Sequence, residues 1–256
     1  MDNYRYALFN EGFVSKYPKV TLALFLVTAA GYSEFSKISL SYNVCNEFKI
    51  NEEYIQHPDV ELESVTTKML FKISFGIILI FLLAAETAQN GLSFYDTCGS
   101  AIRNVLHYCV YVLCGMYWAG IFLWVVKLRV GRLRPCFIEG CKISDINGTD
   151  ESTLLDISAC TNTKYHYYCQ SFFSGHSMLA FYSFMSLAGY VYHKKIKWSN
   201  LLYVVLICIP SWIGCTRIID NQHHPSDVLV GACVGSLFTP CLSSKMASYS
   251  FRCSGL

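Results

Sequence analysis

Charged side chains are scarce in this chain. Asp, Glu, Lys and Arg make up only 15% of its 256 residues, whereas soluble domains carry about 25%. Hydrophobic residues reach 53%, and the mean hydropathy is +0.34. This shortage of charge excludes an ordinary water-soluble domain and predicts an integral membrane protein. The formal net charge of +2 gives no indication of a nucleic-acid partner, and none is expected.

Internal repeats and low-complexity tracts are also absent from the sequence. We therefore predict a single domain over residues 1–256, with its core at about 20–242. No cleavable signal peptide is evident, because the N-terminus is polar and aromatic, with Asp2, Arg5 and Glu11 among its residues. The first apolar segment is therefore expected to act as both signal and anchor.

Six apolar segments follow one another along the chain. They lie at 20–32, 69–85, 105–126, 178–192, 201–214 and 228–242. A transmembrane helix needs roughly 20 residues, with a lower limit of about 17, and only the third segment clearly exceeds that length. The others must recruit flanking polar residues, which is permitted where those residues face one another inside a bundle. We predict an all-α membrane protein with six transmembrane helices and short cytoplasmic tails.

Two signals orient these helices in the membrane. The short fourth loop carries Lys194, Lys195 and Lys197, which favours the cytoplasmic side. Asn147 begins a glycosylation sequon in the long third loop, at 127–173, which favours the lumenal or extracellular side. With six spans the two signals agree, and they place the first, third and fifth loops outside. The expected location is the plasma membrane or the endoplasmic reticulum and Golgi.

The thirteen cysteines divide into two groups. Several, such as Cys109 and Cys208, lie inside apolar runs and are most simply small buried hydrophobes. The outer third loop holds four more, and an oxidising compartment would allow a disulfide among them. The pairing cannot be deduced from sequence alone. These four are Cys136, Cys141, Cys160 and Cys169.

Three polar clusters stand at the ends of the apolar segments. The predicted topology puts all three on the outer side of the membrane. Alone, each has an ordinary interpretation: contact with lipid headgroups, a helix N-cap, and a solvated loop with a capping aspartate. Their convergence is the stronger inference. The clusters are the run from Lys127 to Arg134 and Pro135, the run around Ser174, Gly175 and His176, and the stretch 216–227.

These clusters combine into a site suited to phosphate. Lys127, Arg134 and Arg217 would present three cations to one anion. Ser174 would add a hydroxyl, and Gly175 would let a backbone N–H approach closely. A phosphate has enough oxygens to occupy all of these donors, whereas a carboxylate does not.

Two histidines would divide the chemistry. If Pro225 opens a helix, Asp227 lies in its first turn and can reach a ring nitrogen of His223. His223 would then attack phosphorus and form a phosphohistidine. His176 would protonate the departing alkoxide and later take a proton from water. His224 is the adjacent alternative nucleophile. No matching set of carboxylates for magnesium is present, so neither a metal nor a cofactor is expected.

Together the clusters resemble the type 2 phosphatidic acid phosphatase superfamily. Its pattern is a lysine, six residues and Arg-Pro; then Ser-Gly-His; then Ser-Arg, five residues, a histidine, three residues and an aspartate. Two positions depart. Thr216 replaces the usual serine but keeps a hydroxyl. Phe173 replaces a common proline, and an aromatic residue there is typical of the lipid phosphate phosphatase branch. The matching residues are Lys127, Arg134, Pro135, Ser174, Gly175, His176, Arg217, His223 and Asp227.

The resemblance implies a helix-bundle core shared with vanadium haloperoxidases. It also implies a magnesium-independent phosphatase that acts on phosphatidate, lysophosphatidate, sphingosine phosphate and ceramide phosphate. The expected partners are therefore a phosphorylated lipid and the bilayer, and the oligomeric state, including a homo-oligomer, is left open.

Three alternatives remain. A glucose-6-phosphatase-like enzyme would usually be longer and have more spans. A catalytically silent lipid-binding relative would typically lose the nucleophile or the lysine, and this chain keeps His223 and Lys127. A receptor or channel is not excluded by hydropathy alone.

Overall fold

The computed structural model describes residues 44–89, 94–143, 151–194, 196 and 199–239. Within these ranges the chain is helical, with seven α-helices and two short 3₁₀ turns, and its only β-pairing consists of two isolated bridges. The first predicted segment, 20–32, and the sequon residue Asn147 lie outside the described residues. The helices are α1 (Thr67–Gln89), α2 (Phe94–Val130), α3 (Phe137–Cys141), α4 (Tyr165–Tyr168), α5 (Gly175–His193), α6 (Ser199–Ile219) and α7 (Pro225–Phe238).

The long helices coincide with the predicted apolar segments but extend further. The second loop was expected to run over residues 86–104, and the structure shows this to be largely wrong. Helix α1 continues to Gln89, and α2 has already begun at Phe94. Polar composition suggested a loop, but polar side chains do not end a helix, and a lone glycine such as Gly99 lowers its stability by only about 1 kcal/mol.

Three helices are long and apolar enough to cross a membrane. They are the stretches Thr67–Ala85, Val112–Val130 and Asn200–Ile219, while α7 is a shorter apolar helix. Large apolar side chains also face outward from α1 and α6; Ile80 and Val204, for example, are exposed. Such an apolar outer surface is typical of contact with lipid. The chain is therefore a membrane protein, and the full count of six spans stays a prediction.

One apolar core joins four of these helices. It contains Leu82 of α1, Val112 of α2, Leu187 of α5 and Ile213 of α6, all buried. Packing of this kind fixes the relative positions of the helix ends, and the ends carry the polar clusters.

Helix α7 packs especially closely against α5. A Cβ atom on Gly231 would lie 2.5 Å from the carbonyl oxygen of Ser174, and one on Gly235 would lie 2.2 Å from the carbonyl oxygen of Met178. Both glycines are thus required for this approach. The contact brings the N-terminus of α7 directly beside the N-terminus of α5.

Two disulfides, Cys45–Cys169 and Cys141–Cys160, crosslink the polar loops, the second of them within the third loop. The first connects the segment before α1 to the long third loop, across 124 positions of sequence. Cys136 stays a buried thiol, and burial together with the charge of Asp59 raises its pKa to about 12. The two disulfides stabilise a cap of loops at one end of the bundle.

Candidate active site

The three polar clusters meet at that end of the helix bundle. Lys127 lies in the last turn of α2, and His176 in the first turn of α5. Arg217 lies in the last turn of α6, and Asp227 in the first turn of α7, which Pro225 opens as expected. Alternating helix directions thus bring together residues that are up to 100 positions apart. The structure thus brings the three clusters together at one end of the bundle.

Helix α2 is followed by a glycine, Gly131, at a position where a residue with a side chain would not fit. Gly131 has a φ angle of 62°, the left-handed conformation that commonly follows a helix C-terminus. A Cβ atom there would lie 2.5 Å from the carbonyl oxygen of Val44. The sharp turn directs the following residues, 132–134, across the end of the bundle, where they form hydrogen bonds with the backbone at Tyr168 and Ser171.

Lys127 and Arg134 are buried and contact neutral groups. The Nζ of Lys127 donates to the carbonyl of Gln170 at 2.6 Å. Arg134 donates from Nε to the carbonyl of Tyr167 at 3.0 Å and from Nη1 to the side-chain oxygen of Gln222, and its guanidinium lies 3.8 Å from the centre of the Tyr167 ring. Within the described part of the chain neither side chain forms an ion pair, so both lie in a buried place without a carboxylate partner.

Ser174 and Gly175 begin α5. Ser174 is fully buried, and its hydroxyl oxygen accepts the backbone N–H of Ser177 at 3.4 Å as the N-cap. A hydroxyl that accepts a hydrogen bond still has its own proton to donate. A Cβ atom on Gly175 would lie 2.8 Å from Cδ2 of Leu123, so α2 and α5 approach closely at this point.

His176 presents an unpaired ring nitrogen inside the site. Its Nε2 atom is buried and has no hydrogen-bond partner among the described residues. Burial is the main reason why the pKa of His176 is lowered to about 3. The positive charges of Arg217, Arg134 and Lys127 lower this pKa further, whereas a hydrogen bond with the backbone of Val65 opposes them. All three predicted phosphate-binding cations are therefore close enough to influence this imidazole.

Arg217 is 1% exposed and differs from the other two cations because it lies between two carboxylates. Its Nη2 donates to Asp220 at 2.6 Å, and its Nη1 donates to Glu63 at 3.0 Å. Nε and Nη2 also lie 3.3 Å from the hydroxyl of Thr216. Thr216 thus keeps a hydroxyl against the arginine at the position where it departs from the family pattern.

His223 lies beside Asp227, as the spacing predicted, but without a hydrogen bond. The Nδ1 atom is 3.9 Å from Oδ2 of Asp227, within ion-pair range and beyond hydrogen-bond range. This nitrogen is buried and has no partner among the described residues. By contrast, Nε2 of the adjacent His224 lies 3.0 Å from the carbonyl oxygen of Leu133. Of the two adjacent histidines, the structure gives His224 a backbone contact and leaves Nδ1 of His223 unpaired.

Burial lowers the pKa of His223 well below its ordinary value, and the charges of Lys127 and Arg134 contribute in the same direction, although the Asp227 carboxylate opposes them. Burial acts to raise the pKa of Asp227, but the surrounding donors and charges from His223, Ser171 and Arg132 outweigh it and lower that pKa. The site thus holds a neutral imidazole beside an ionised carboxylate at neutral pH.

Arg132 belongs to the first cluster, for which contact with lipid headgroups was the ordinary interpretation, and the structure corrects this for Arg132. Its Nη1 donates to Oδ1 of Asp227 at 2.6 Å and to the hydroxyl of Ser226 at 2.8 Å. Oδ2 of the same carboxylate accepts from the hydroxyl of Ser171 at 2.6 Å and from the backbone N–H of His224 at 3.1 Å. Asp227 is therefore fixed from several directions, and Arg132 is one of its supports.

Sequence reasoning also missed the groups that surround the arginines. The hydroxyl of Tyr167 lies 2.7 Å from the side-chain oxygen of Gln222 and 3.2 Å from that of Glu63, so its one proton can be donated to either. Tyr167 thus connects the surroundings of Arg134 with those of Arg217. Glu63 precedes α1 and is distant from every motif in the sequence. The adjacency of Gln222 to His223 was the one available signal.

No group of three or more His, Cys, Asp or Glu side chains is arranged to hold a metal ion in the described ranges. This is a property of the residues present, and magnesium independence itself stays a prediction.

The chain is similar to a known protein family and to several known proteins. The model of the PAP2 superfamily matches residues 103–249. A probable diacylglycerol pyrophosphate phosphatase 1 of Schizosaccharomyces pombe is 28% identical over 237 residues, which cover 83% of this chain and 78% of that protein. Phospholipid phosphatase 2 of Rattus norvegicus is 34% identical over 135 residues, 50% of this chain and 48% of the relative. Phospholipid phosphatase 1 of the rat is 29% identical over 184 residues, 63% of each chain. The chain therefore spans between half and four fifths of the length of these relatives. No solved structure matches.

Proposed function

Because this chain belongs to the PAP2 superfamily, on its lipid phosphate phosphatase branch, we propose that it hydrolyses phosphate esters of membrane lipids. The observation that carries this proposal is the gathering of Lys127, Arg134, His176 and His223 at one end of an apolar bundle. Three relatives bear the names of lipid phosphatases. We propose phosphatidate, lysophosphatidate, sphingosine phosphate and ceramide phosphate as the substrate class.

Binding of the phosphate uses the cations. Lys127 and Arg134 are buried and contact neutral oxygens, so an anion that enters gains their full attraction in a poorly hydrated place. Arg217, the Ser174 hydroxyl and the backbone N–H at Gly175 complete the donors in this proposal. They offset the charge that the equatorial oxygens carry in the transition state.

His223 is the proposed nucleophile. Its lowered pKa keeps the imidazole neutral at physiological pH, and a neutral ring has a lone pair to attack phosphorus. The attack forms a bond from nitrogen to phosphorus and breaks the bond from phosphorus to the lipid oxygen. The imidazole becomes cationic as it does so, and Asp227 lies 3.9 Å away to stabilise that charge.

His176 is the proposed proton carrier. With a pKa of about 3 its imidazole is neutral at neutral pH in the structure, so it lacks the second ring proton that an acid would donate. The same three cations that lower this pKa are the groups that a dianionic phosphate offsets when it binds, so substrate binding raises the pKa and loads the proton. His176 then protonates the departing alkoxide. In the second step it takes a proton from water, which attacks phosphorus, releases inorganic phosphate and restores His223.

The proposed location of the site is the lumenal or extracellular face. The two disulfides support this, because such bonds persist in oxidising compartments. The four cysteines of these disulfides lie in loops that the sequence predicts on the outer side. Glycan mapping at Asn147 tests this assignment, and a cytosolic Asn147 would contradict it.

Phosphate release from phosphatidate by the purified protein tests the proposed function. The expected results are turnover by the wild type, loss of at least about a thousandfold in His223→Ala, and retention in His57→Gln, which replaces an exposed histidine. His224→Gln is expected to keep most of the activity, because His224 contacts backbone. Activity in His223→Ala that equals the wild type would refute the assignment of the nucleophile.

Two further arms separate the alternatives. Excess chelator is expected to leave the rate unchanged. Side-by-side turnover of lysophosphatidate, sphingosine phosphate and glucose phosphate distinguishes a lipid phosphatase from a glucose-6-phosphatase-like enzyme. A folded wild type with no turnover of any of these would favour the silent lipid-binding relative.

A further inference from the structure

Glu63 occupies one of the N–H donors of Arg217, a residue proposed above to bind phosphate. Its carboxylate Oε2 accepts from Nη1 at 3.0 Å, and the two residues are 154 positions apart in sequence. Nη2 already contacts Asp220, and Nε lies against Thr216. Among the described residues these contacts occupy four of the five N–H donors of Arg217. A phosphate that binds Arg217 through two N–H groups must therefore replace one of these partners, and Glu63 and Asp220 are the two charged ones.

The two carboxylates are held very differently. Asp220 is 3% exposed and accepts three hydrogen bonds, one from Arg217 and two from Ser64, at 2.8 Å from its N–H and 2.5 Å from its hydroxyl. Glu63 is 27% exposed, and its other contact is a long one, 3.2 Å from the hydroxyl of Tyr167. That hydroxyl is closer to Gln222, at 2.7 Å. Glu63 is thus the carboxylate that can leave.

The backbone around Glu63 is fixed, so only the side chain has to move. Residues 57–65, which we call the covering segment, are held at several points. The N–H of His57 donates to the carbonyl of Pro135, and the hydroxyl of Tyr168 donates to Asp59. Ser64 is tied to Asp220 next to Glu63 itself. A rotation of one partly exposed side chain is sufficient to free Nη1.

We propose that Glu63 is an exchangeable anion on Arg217, replaced by a phosphate oxygen when substrate binds, and that it thereby sets the affinity of the site for phosphate. This inference rests on the proposed function. Lys127 and Arg134 have no such competitor among the described residues, so they capture the phosphate first. The contact of the phosphate with Arg217 then follows the departure of Glu63.

Replacement of the competing charge tests the proposal. Glu63→Gln keeps the shape of the side chain and removes its charge, so the attraction of Glu63 for Nη1 falls. We expect the Kd for inorganic phosphate and the KM for phosphatidate to fall together by about three- to fivefold, the range of a partly exposed ion pair, with kcat little changed. Glu61→Gln is the matched control, since it removes the same charge from an exposed position of the covering segment and is expected to change neither value.

The Kd is measured by titration of inorganic phosphate into purified protein in nanodiscs, which needs no turnover. A wild type that binds phosphate but hydrolyses no lipid would defeat the proposed function and leave this binding test valid. If Glu63→Gln binds phosphate more weakly than the wild type, Glu63 positions Arg217 and the exchange is refuted. Equal affinity, or no phosphate binding by either protein, also refutes it. Glu63→Ala, with folding checked by thermal melting, is expected to change affinity in the same direction as Glu63→Gln.

Discussion

The cations on the two sides of the candidate site have opposite kinds of partner, neutral oxygens on one side and carboxylates on the other. On the side of α2, Lys127 and Arg134 contact backbone carbonyls and the amide oxygen of Gln222. On the side of α6, Arg217 lies between Asp220 and Glu63. Buried cations without counterions are costly, whereas a cation between carboxylates is already compensated. In our proposal the α2 side therefore attracts the anion first, and on the α6 side the anion replaces Glu63 at Arg217.

Among the tests of this comparison, the loss of a cation on the α2 side has the largest expected effect. Arg134→Gln removes an uncompensated charge and is expected to lower kcat/KM by at least about a hundredfold, as loss of one preorganised donor does. Arg217→Gln is expected to raise the Kd for inorganic phosphate less than Arg134→Gln, because Glu63 already offsets part of its charge. Equal losses of phosphate affinity in both variants, measured by titration, would break the comparison.

The stability of the protein in acid tests whether burial and the cations of both sides lower the pKa of His176. The unfolded chain binds this proton near pH 6.5, whereas burial and the cations hold the folded pKa to about 3. Unfolding therefore gains protons as the pH falls below about 6.5, and stability declines towards pH 3. For His176 alone the loss is about 2 kcal/mol at pH 5.

The measurement is the melting temperature between pH 7 and pH 5. We expect His176→Gln, which cannot titrate, to lose less stability than the wild type over this interval. Identical declines in the two proteins would show that His176 titrates normally in the folded state.

Arg132 gives the smallest of these effects, since it acts through Asp227. Arg132→Gln removes the 2.6 Å ion pair with the carboxylate of Asp227. The charge of Arg132 also contributes to the low pKa of Asp227. We expect kcat to fall about tenfold with KM little changed, and Arg132→Lys to recover part of the loss. A rise in KM at constant kcat would instead place Arg132 in direct contact with the substrate.

The positions of the polar clusters could be predicted from the sequence because helix ends follow simple rules. Pro225 favours the first position of a helix, so Asp227 falls in the first turn beside His223. The alternation of apolar segments places the ends of α2, α5, α6 and α7 on one side. Both inferences depend on local pattern and on the membrane, and neither requires knowledge of side-chain packing.

The remaining features depend on tertiary contacts that no local pattern encodes. Glu63 meets Arg217 only because the covering segment folds over the end of the bundle. Arg132 turns towards Asp227 because Gly131 redirects the chain. The pairing of Cys45 with Cys169 likewise joins loops far apart in sequence, and Cys45 lies outside the set of four cysteines among which a disulfide was expected.

The central claim is that His223 carries the phosphoryl group, with His176 needed to remove it. Para-nitrophenyl phosphate, labelled on phosphorus, has a leaving group that needs no proton, so His176→Ala should form the phosphohistidine from it and hydrolyse it slowly. We predict an acid-labile label on the peptide that contains His223 in His176→Ala, and none in the double variant that also carries His223→Ala. Label on another residue, or turnover by His176→Ala without any labelled protein, would contradict the account.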